Sequence, residues 1–445
     1  MHFPTDRSIH IGDLRLAMVT SLWGWSRKGV LVATNDNTAA LDDLRWLDIE
    51  PDELVDIKQR TSPKEVIEAL VEAKLAYPCY CTSAELREMP SAPKGHLEPT
   101  LYDGRCRTLS MEDQKILAKA GRKPTLRLRV PDEMEKSTPK RLAKLLPNKI
   151  HDFVVLSADN SPTTALSAVL NDRDAETTHT LLHESDMNHV YQRILIAQAL
   201  ELSSPEFSSI PDVIQVGTTA TGSAWQTIAS LRDAGYHPSA VRTALLQAGW
   251  ADALSAPLKD QAKDFKLNKL SKKTAEINLD ALQEANSNVI QDMDSKARVD
   301  AVFDHLARRG FAFSERDRRW RTKFVELVVE DLSTLADAEN MAGYVLTATV
   351  SYDKVGAETL RDKATQNLID TFESQIKAGK VKSLSDWKSV LAKFRSQVEI
   401  PGRALSTIRL VLTGERTGPN LVILATLLGE DGIRHRLEKA RKYRS

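Results

Sequence analysis

Ser8-Ile9-His10-Ile11-Gly12-Asp13-Leu14-Arg15 lies near the start of the chain and opens an apolar stretch with helical spacing from Leu14 to Trp25. The short apolar run Val30-Leu31-Val32-Ala33 follows, so the two segments together predict a helix–strand unit of an α/β domain. A His-x-Gly at a helix start sits where free backbone N–H groups and the helix dipole favour an anion such as phosphate. His10 and Gly12 therefore have two readings. They line a nucleotide pocket, or they are an ordinary helix start with a satisfied polar residue.

The chain has 445 residues, enough for about three domains. Lys plus Arg and Asp plus Glu are 61 each, so no global field draws the protein to nucleic acid, and a basic face has to be local. There is no run of eighteen apolar residues and no signal peptide, which predicts a soluble cytoplasmic chain without a membrane partner. Three cysteines argue against a disulfide framework.

Working outward, Pro63 to Ala76 is amphipathic, with Val66, Ile67, Leu70, Val71 and Leu75 at helical spacing. Residues 79 to 110 are rich in turn formers and read as an insertion. Thr125 to Val130 alternates like a half-buried strand, and Phe153 to Leu156 before Asp159-Asn160-Ser161-Pro162 reads as a strand entering a turn. Val190 to Leu202 is helical. Beyond about residue 225 nearly everything has helical period, with breaks expected near Gly235, Gly249, Gly310, Gly356 and Pro401-Gly402.

These segments together resemble a bacterial-type glutamyl-tRNA synthetase, and the opening His-x-Gly resembles the adenylate-forming signature of the class I synthetases. The resemblance rests on Leu44 to Glu53, Lys74 to Thr82, Tyr102-Asp103-Gly104-Arg105-Cys106-Arg107, Asp152 to Thr163, Thr178-His179, Arg193-Ile194-Leu195, Ala234 to Trp250, and Thr413-Gly414 with Gly418-Pro419 and Leu427-Leu428-Gly429. It implies a Rossmann-type catalytic domain (1–78 and 145–200) split by an acceptor-binding insertion (79–144). An all-α stem-contact domain (201–300) and an anticodon-binding domain (301–445) follow. It also implies tRNA as partner, with ATP and Mg2+ if the chain is active; DNA is not expected.

The chemistry the family needs is missing at the matching positions. Adenylate formation requires positive charge on the ATP phosphates as charge develops. The family's Lys-x-Ser-Lys-Arg loop falls on Thr218-Thr219-Ala220-Thr221-Gly222, with threonine at both lysine positions, Thr218 and Thr221. No Lys or Arg occurs between Gln215 and Ser230. The family's Ser-Pro-Thr-Gly falls on Phe3-Pro4-Thr5-Asp6, which leaves Thr5, His10 and Gly12 as a nucleotide-site remnant. The Glu that holds the substrate amine is Asn35, a pocket tyrosine is Thr164, and the Arg that pairs with the substrate carboxylate is Leu182. A buried carboxylate without a cation is strongly disfavoured. The resemblance therefore implies a degenerate member that acts by binding tRNA or a protein complex. The alternative is a divergent glutamate–tRNA ligase, with an altered amino acid as one form, and a purely structural subunit is a third reading.

All the cysteines fall in the insertion, as Cys79-x-Cys81 and Cys106 after twenty-four intervening residues, with Tyr102 four before Cys106. Zinc-bearing relatives use this Cys-x-Cys…Tyr-x-x-x-Cys arrangement, so the resemblance implies a structural zinc on Cys79, Cys81, Tyr102 and Cys106, with His96 as a rival fourth ligand. Three free packed cysteines are the alternative. At the anticodon end, Glu330-Asp331 stands where relatives carry Arg. Arg316, Arg318, Arg319 and Arg321, with Arg308-Arg309 and Trp320 nearby, form a local basic cluster that reads either as an RNA contact or as a solvated helix face, and the tail from Arg434 to Arg444 reads the same two ways.

Overall fold

The structure, a computed structural model, describes residue 9 and residues 11–34, 38–56, 63–89, 102–131, 150–216, 227–347, 349–377 and 381–443. Thr5, His10, Asn35, His96, Thr218 and Thr221 lie outside the described residues. The chain divides into two compact units. One comprises Met1–Ala229 with Arg242–Asn278, the other Ser230–Val241 with Leu279–Ser445.

The first unit is α/β. The helix Ile11–Ser26 leads into β1 (Val32–Thr34), the helix Thr38–Trp46 and β2 (Glu53–Val55), which pairs parallel to β1. β3 (Ala76–Cys79), β4 (Thr125–Leu128) and β5 (Phe153–Leu156) form an antiparallel sheet in the order β3-β4-β5. β6 (His179–His183) and β7 (Glu206–Ile210) are parallel and joined through the helix Val190–Ala199, and β8 (Val213–Val216) is parallel to β9 (Ala275–Asn278). Parallel neighbours need crossover connections, and each of the three parallel pairs here carries at least one helix between its strands.

Local chemistry explains these elements. The helix Pro63–Glu72 starts on Pro63 and buries Val66, Ile67 and Leu70 against β5 residues Phe153 and Val155 and against Leu166 and Tyr191 in one core. It ends sooner than the apolar spacing predicts, because Lys74 turns the chain through a left-handed conformation (φ 61°) into β3. β5 runs into the expected turn, with Asn160 left-handed (φ 66°) and the Asp159 carboxylate accepting from the Ser161 N–H at 2.9 Å. Thr163 then caps the helix Thr164–Asp174 by accepting from the Leu166 N–H at 3.4 Å. The alternation in β4 does not sort polar residues to solvent: Arg127 is buried, because its guanidinium donates to the Asp152 carbonyl at 2.9 Å.

The second unit is helical. Helices from Leu279–Asp292 to Leu421–Arg441 close over a core that includes Phe303, Phe324, Phe372, Trp387 and Phe394. The last helix bends at Gly429, which is non-helical at φ 69°. Two expectations for this half of the sequence are corrected. β9 interrupts the helical run, because Ala275 and Ile277 alternate buried with exposed Glu276 and Asn278 on an edge that β8 leaves open. Gly356 lies inside the helix Lys354–Arg361, where its N–H is the one that the cap Asp353 accepts from, at 2.6 Å.

Candidate functional site

The residue before the first helix is fixed from two sides: the Ile9 N–H donates to Asp43 at 2.9 Å and its carbonyl accepts from the Ile228 N–H at 3.1 Å. Gly12 lies in the first turn of that helix. One turn on, Arg15 is 1% exposed, and its guanidinium donates to the Pro211 carbonyl at 3.2 Å, just before β8. Burial holds the Arg15 pKa below its ordinary value. The guanidinium also occupies the space beside Gly249, where an added Cβ would lie 2.0 Å from its Nη2. The opening helix, the approach to β8 and the Gly249-Trp250 turn are therefore interlocked through one arginine.

A second group escapes the motif reading. His183 ends β6 with its Nε2 3.7 Å from Asp13 and its Nδ1 3.8 Å from Asp212, and Ser185 donates to Asp212 at 2.8 Å. The carboxyl end of a parallel strand beside a helix N-terminus is where α/β folds place ligands. The signal in the sequence was His183 and Ser185 directly after the apolar strand residues.

Two of the positions that the resemblance assigns to an amino-acid pocket, Leu182 and Thr164, are described, and neither carries positive charge. Leu182 packs with Val190, Ile194, Met187 and Phe207 in a small apolar cluster. Thr164 is an exposed first residue of its helix. Arg193 lies over the Phe207 ring at 5.0 Å but pairs with Asp172, whose carboxyl burial pushes upward.

The cysteines do come together. The Sγ atoms of Cys79, Cys81 and Cys106 all lie within 4.8 Å of one another, with Cys81 and Cys106 3.6 Å apart. Thiolates on a tetrahedral zinc sit about 3.8 Å from each other, so the donor set and its spacing fit that ion. The Tyr102 hydroxyl is 3.5 Å from the Cys79 Sγ and accepts from the Cys106 N–H at 3.2 Å. The hydrogen bond from Cys106 holds the Cys79 thiol down at about 4, and the same bond pushes Cys106 up. Burial, then the neighbouring Cys79, pushes the Tyr102 phenol up, so its oxygen is neutral.

Behind the cysteines a buried carboxylate ties the insertion to the sheet. Asp152 accepts from the Tyr77 hydroxyl, from Arg107 and, at 2.8 Å, from the Val130 N–H. Burial alone raises its pKa, but the bonds from Arg107 and Tyr77 outweigh that and hold the carboxyl below its ordinary value. Arg127 lies 3.9 Å over the Tyr102 ring and completes the link.

The four cluster arginines are not one free basic face. Arg316 stacks over Trp320 at 4.6 Å, and Arg321 donates to the Arg316 carbonyl at 2.9 Å while lying 4.7 Å over Phe313. Arg318 pairs with Asp300 at 3.0 Å, and Arg319 is exposed. The basic tail is committed in the same way: Arg434 pairs with Glu430 and Arg441 with Asp370, while buried Arg436 donates to the carbonyls of Leu412, Tyr344 and Thr347.

Comparison with known proteins agrees with this anatomy. The pattern of the family described as tRNA synthetases class I (E and Q), catalytic domain, matches residues 8–291, and that of the anticodon binding domain matches residues 297–441. A glutamate–tRNA ligase of Desulfitobacterium hafniense is 26% identical, the match covering 96% of this chain and 95% of that one. Glutamate–tRNA ligase 1 of Caldanaerobacter subterraneus is also 26% identical, covering 98% and 95%. A crystal structure of a glutamate tRNA ligase from Elizabethkingia meningosepticum in complex with its amino acid has the same fold, with a TM-score of 0.59 at 19% identity over 99% of this chain and 98% of that one. The two-part α/β and helical architecture and the two family patterns along nearly the whole length together place the chain among the class I tRNA synthetases of the glutamate and glutamine type.

Proposed function

We propose that this member of the family binds tRNA and no longer activates glutamate. The observation that carries the reading is Leu182. It stands where the family's carboxylate-binding Arg is matched, and it is packed among Val190, Ile194, Met187 and Phe207. A substrate carboxylate brought there would lose its water without gaining a cation, which costs several kcal/mol. Thr218 and Thr221 at the lysine positions remove a second set of charges. What the chain does hold keeps shape: the Arg15–Gly249 interlock, the cysteine cluster and the anticodon-domain helices. tRNA is the partner this retained anatomy fits. A protein complex is the next candidate, with the fold serving as an interaction surface.

A divergent ligase is the second reading, favoured by relatives named as ligases that match over 95% of their length. It requires ATP, Mg2+ and cations supplied from positions other than the family's own. Binding separates the tRNA reading from a purely structural role. The chain is expected to bind tRNA more tightly than an unrelated RNA of equal length at physiological salt. Equal affinity for the two would overturn the tRNA reading.

The cysteine cluster is proposed to hold one structural zinc, with Cys79, Cys81, Cys106 and Tyr102 as ligands, pinning a segment that has little core of its own. Protein purified without chelator should contain about one zinc per chain. Cys81→Ser should lose it and expose residues 79–110 to proteolysis while the helical unit stays folded. Three thiols that react freely in the native protein would contradict the site.

A further inference from the structure

We infer that the cysteine cluster has a second covalent state, in which oxidation by a peroxide joins Cys81 to Cys106 and the resulting disulfide takes over the clasp from the metal. The exchange of zinc for a disulfide rests on the zinc site proposed above, whereas the pairing rests on the sulfur geometry. The Sγ atoms of Cys81 and Cys106 are 3.6 Å apart. A disulfide needs about 2.05 Å, so the two sulfurs have about 1.5 Å to travel, a distance that side-chain rotation covers. The three thiols also differ in access. Cys79 and Cys106 are 2% and 6% exposed, whereas Cys81 is only partly buried and is the one that an oxidant from solvent reaches first. Cys79 has a partner of its own, the Tyr102 hydroxyl at 3.5 Å.

The segments that carry the pair are held by bonds that involve no metal. Tyr77, two residues before Cys79, and Arg107, next to Cys106, both donate to the buried Asp152 carboxylate. The Tyr102 hydroxyl accepts from the Cys106 N–H at 3.2 Å. Thr82, directly after Cys81, caps the helix Ser83–Arg87, and its N–H donates to Glu85 at 2.6 Å. Losing the ion therefore leaves the two sulfurs side by side. The Cys81 sulfur attacks one peroxide oxygen, the O–O bond breaks, and a sulfenic acid and one water result. The Cys106 sulfur then attacks the Cys81 sulfur, and the sulfenic oxygen leaves as a second water. Each sulfur gives up one electron, and the peroxide takes up both together with two protons from the thiols or from solvent. Cys79 and Tyr102 then remain as protein ligands, too few to hold the ion. The disulfide closes the same run of twenty-four intervening residues and restrains the unfolded chain, so the insertion stays pinned in both states.

The test treats the full chain with hydrogen peroxide and follows metal, thiols and linked peptides. The expected main product is the Cys81–Cys106 peptide, with Cys79 recovered as a free thiol and zinc released in step with the link. A dithiol reductant with added zinc should restore the starting state. The linked chain should resist proteolysis across residues 79–110 as the zinc-loaded parent does, where Cys81→Ser is cut. Cys79→Ser should still form the Cys81–Cys106 link, and Cys106→Ser should instead carry sulfinic acid at Cys81. A main link through Cys79, sulfinic acid without a link in the parent, zinc retained by the linked chain, or a linked chain cut as fast as Cys81→Ser would each overturn the inference. Protein that holds no zinc as purified yet forms the same link removes the zinc reading and leaves the disulfide standing. Zinc-bearing protein that peroxide leaves unlinked does the reverse.

Discussion

Gly235→Ala is expected to destabilise the helical unit by about 4 kcal/mol, adding the cost of a left-handed alanine to that of overpacking. Gly235 ends the helix Ile228–Asp233 in a left-handed conformation, φ 79°. Its N–H bonds to the Arg232 carbonyl at 3.0 Å, and the next N–H, of Tyr236, bonds back to Leu231 at 3.1 Å, a pattern that closes helix ends. The Gly235 carbonyl accepts from the Leu335 N–H at 2.8 Å, so a second chain segment lies directly against the turn. A Cβ there would lie 2.3 Å from the Ala336 nitrogen, and backbone cannot swing aside as a side-chain end does. Gly310 supplies the control. It is left-handed as well, φ 84°, but nothing lies within 4 Å of its added Cβ. Gly310→Ala should therefore cost only the conformational share, about 1 kcal/mol. Urea unfolding of the helical unit, followed by its tryptophans, checks both. Equal effects of the two substitutions would contradict the close approach of Leu335-Ala336.

This contrast shows what the sequence could and could not convey. Gly235 and Gly249 were legible as turns, yet the partners that make them obligatory, the Ala336 backbone and the Arg15 guanidinium, lie about a hundred and more than two hundred residues away in sequence. The opening helix, the β5 turn and the clustering of the three cysteines were readable because each follows from local spacing or from a specific resemblance. Gly356 was misread as a break because a glycine at a helix start is indistinguishable by composition from one that ends a helix. Arg316 and Arg321 were counted as free charge. The aromatic rings and carbonyls that engage them are set by the packing of the helices, which no charge count contains. A chain-wide balance of zero also conceals a surplus of lysine confined to residues 259–273. His183 with Asp13 and Asp212 was out of reach for a plainer reason: a strand end, the first turn of the opening helix and the β7–β8 connection meet there, and no motif joins them.

The largest expected effect concerns the chemical step itself. Each preorganised charge or donor on a developing negative charge contributes about 10²–10³ in rate. On the proposed reading Thr218 and Thr221 stand at two such positions of the phosphate loop and Leu182, packed in an apolar cluster, stands where the substrate carboxylate would be held. A threonine hydroxyl can share a hydrogen bond with a phosphate oxygen but does not neutralise it. Exchange of pyrophosphate into ATP with saturating glutamate, measured with and without tRNA beside an active ligase of the family, reads this step alone. The expected rate is at least about 10³-fold below that of the active ligase, with tRNA unable to restore it. Exchange near the rate of the active ligase would rule out the loss of glutamate activation and identify the chain as a working ligase.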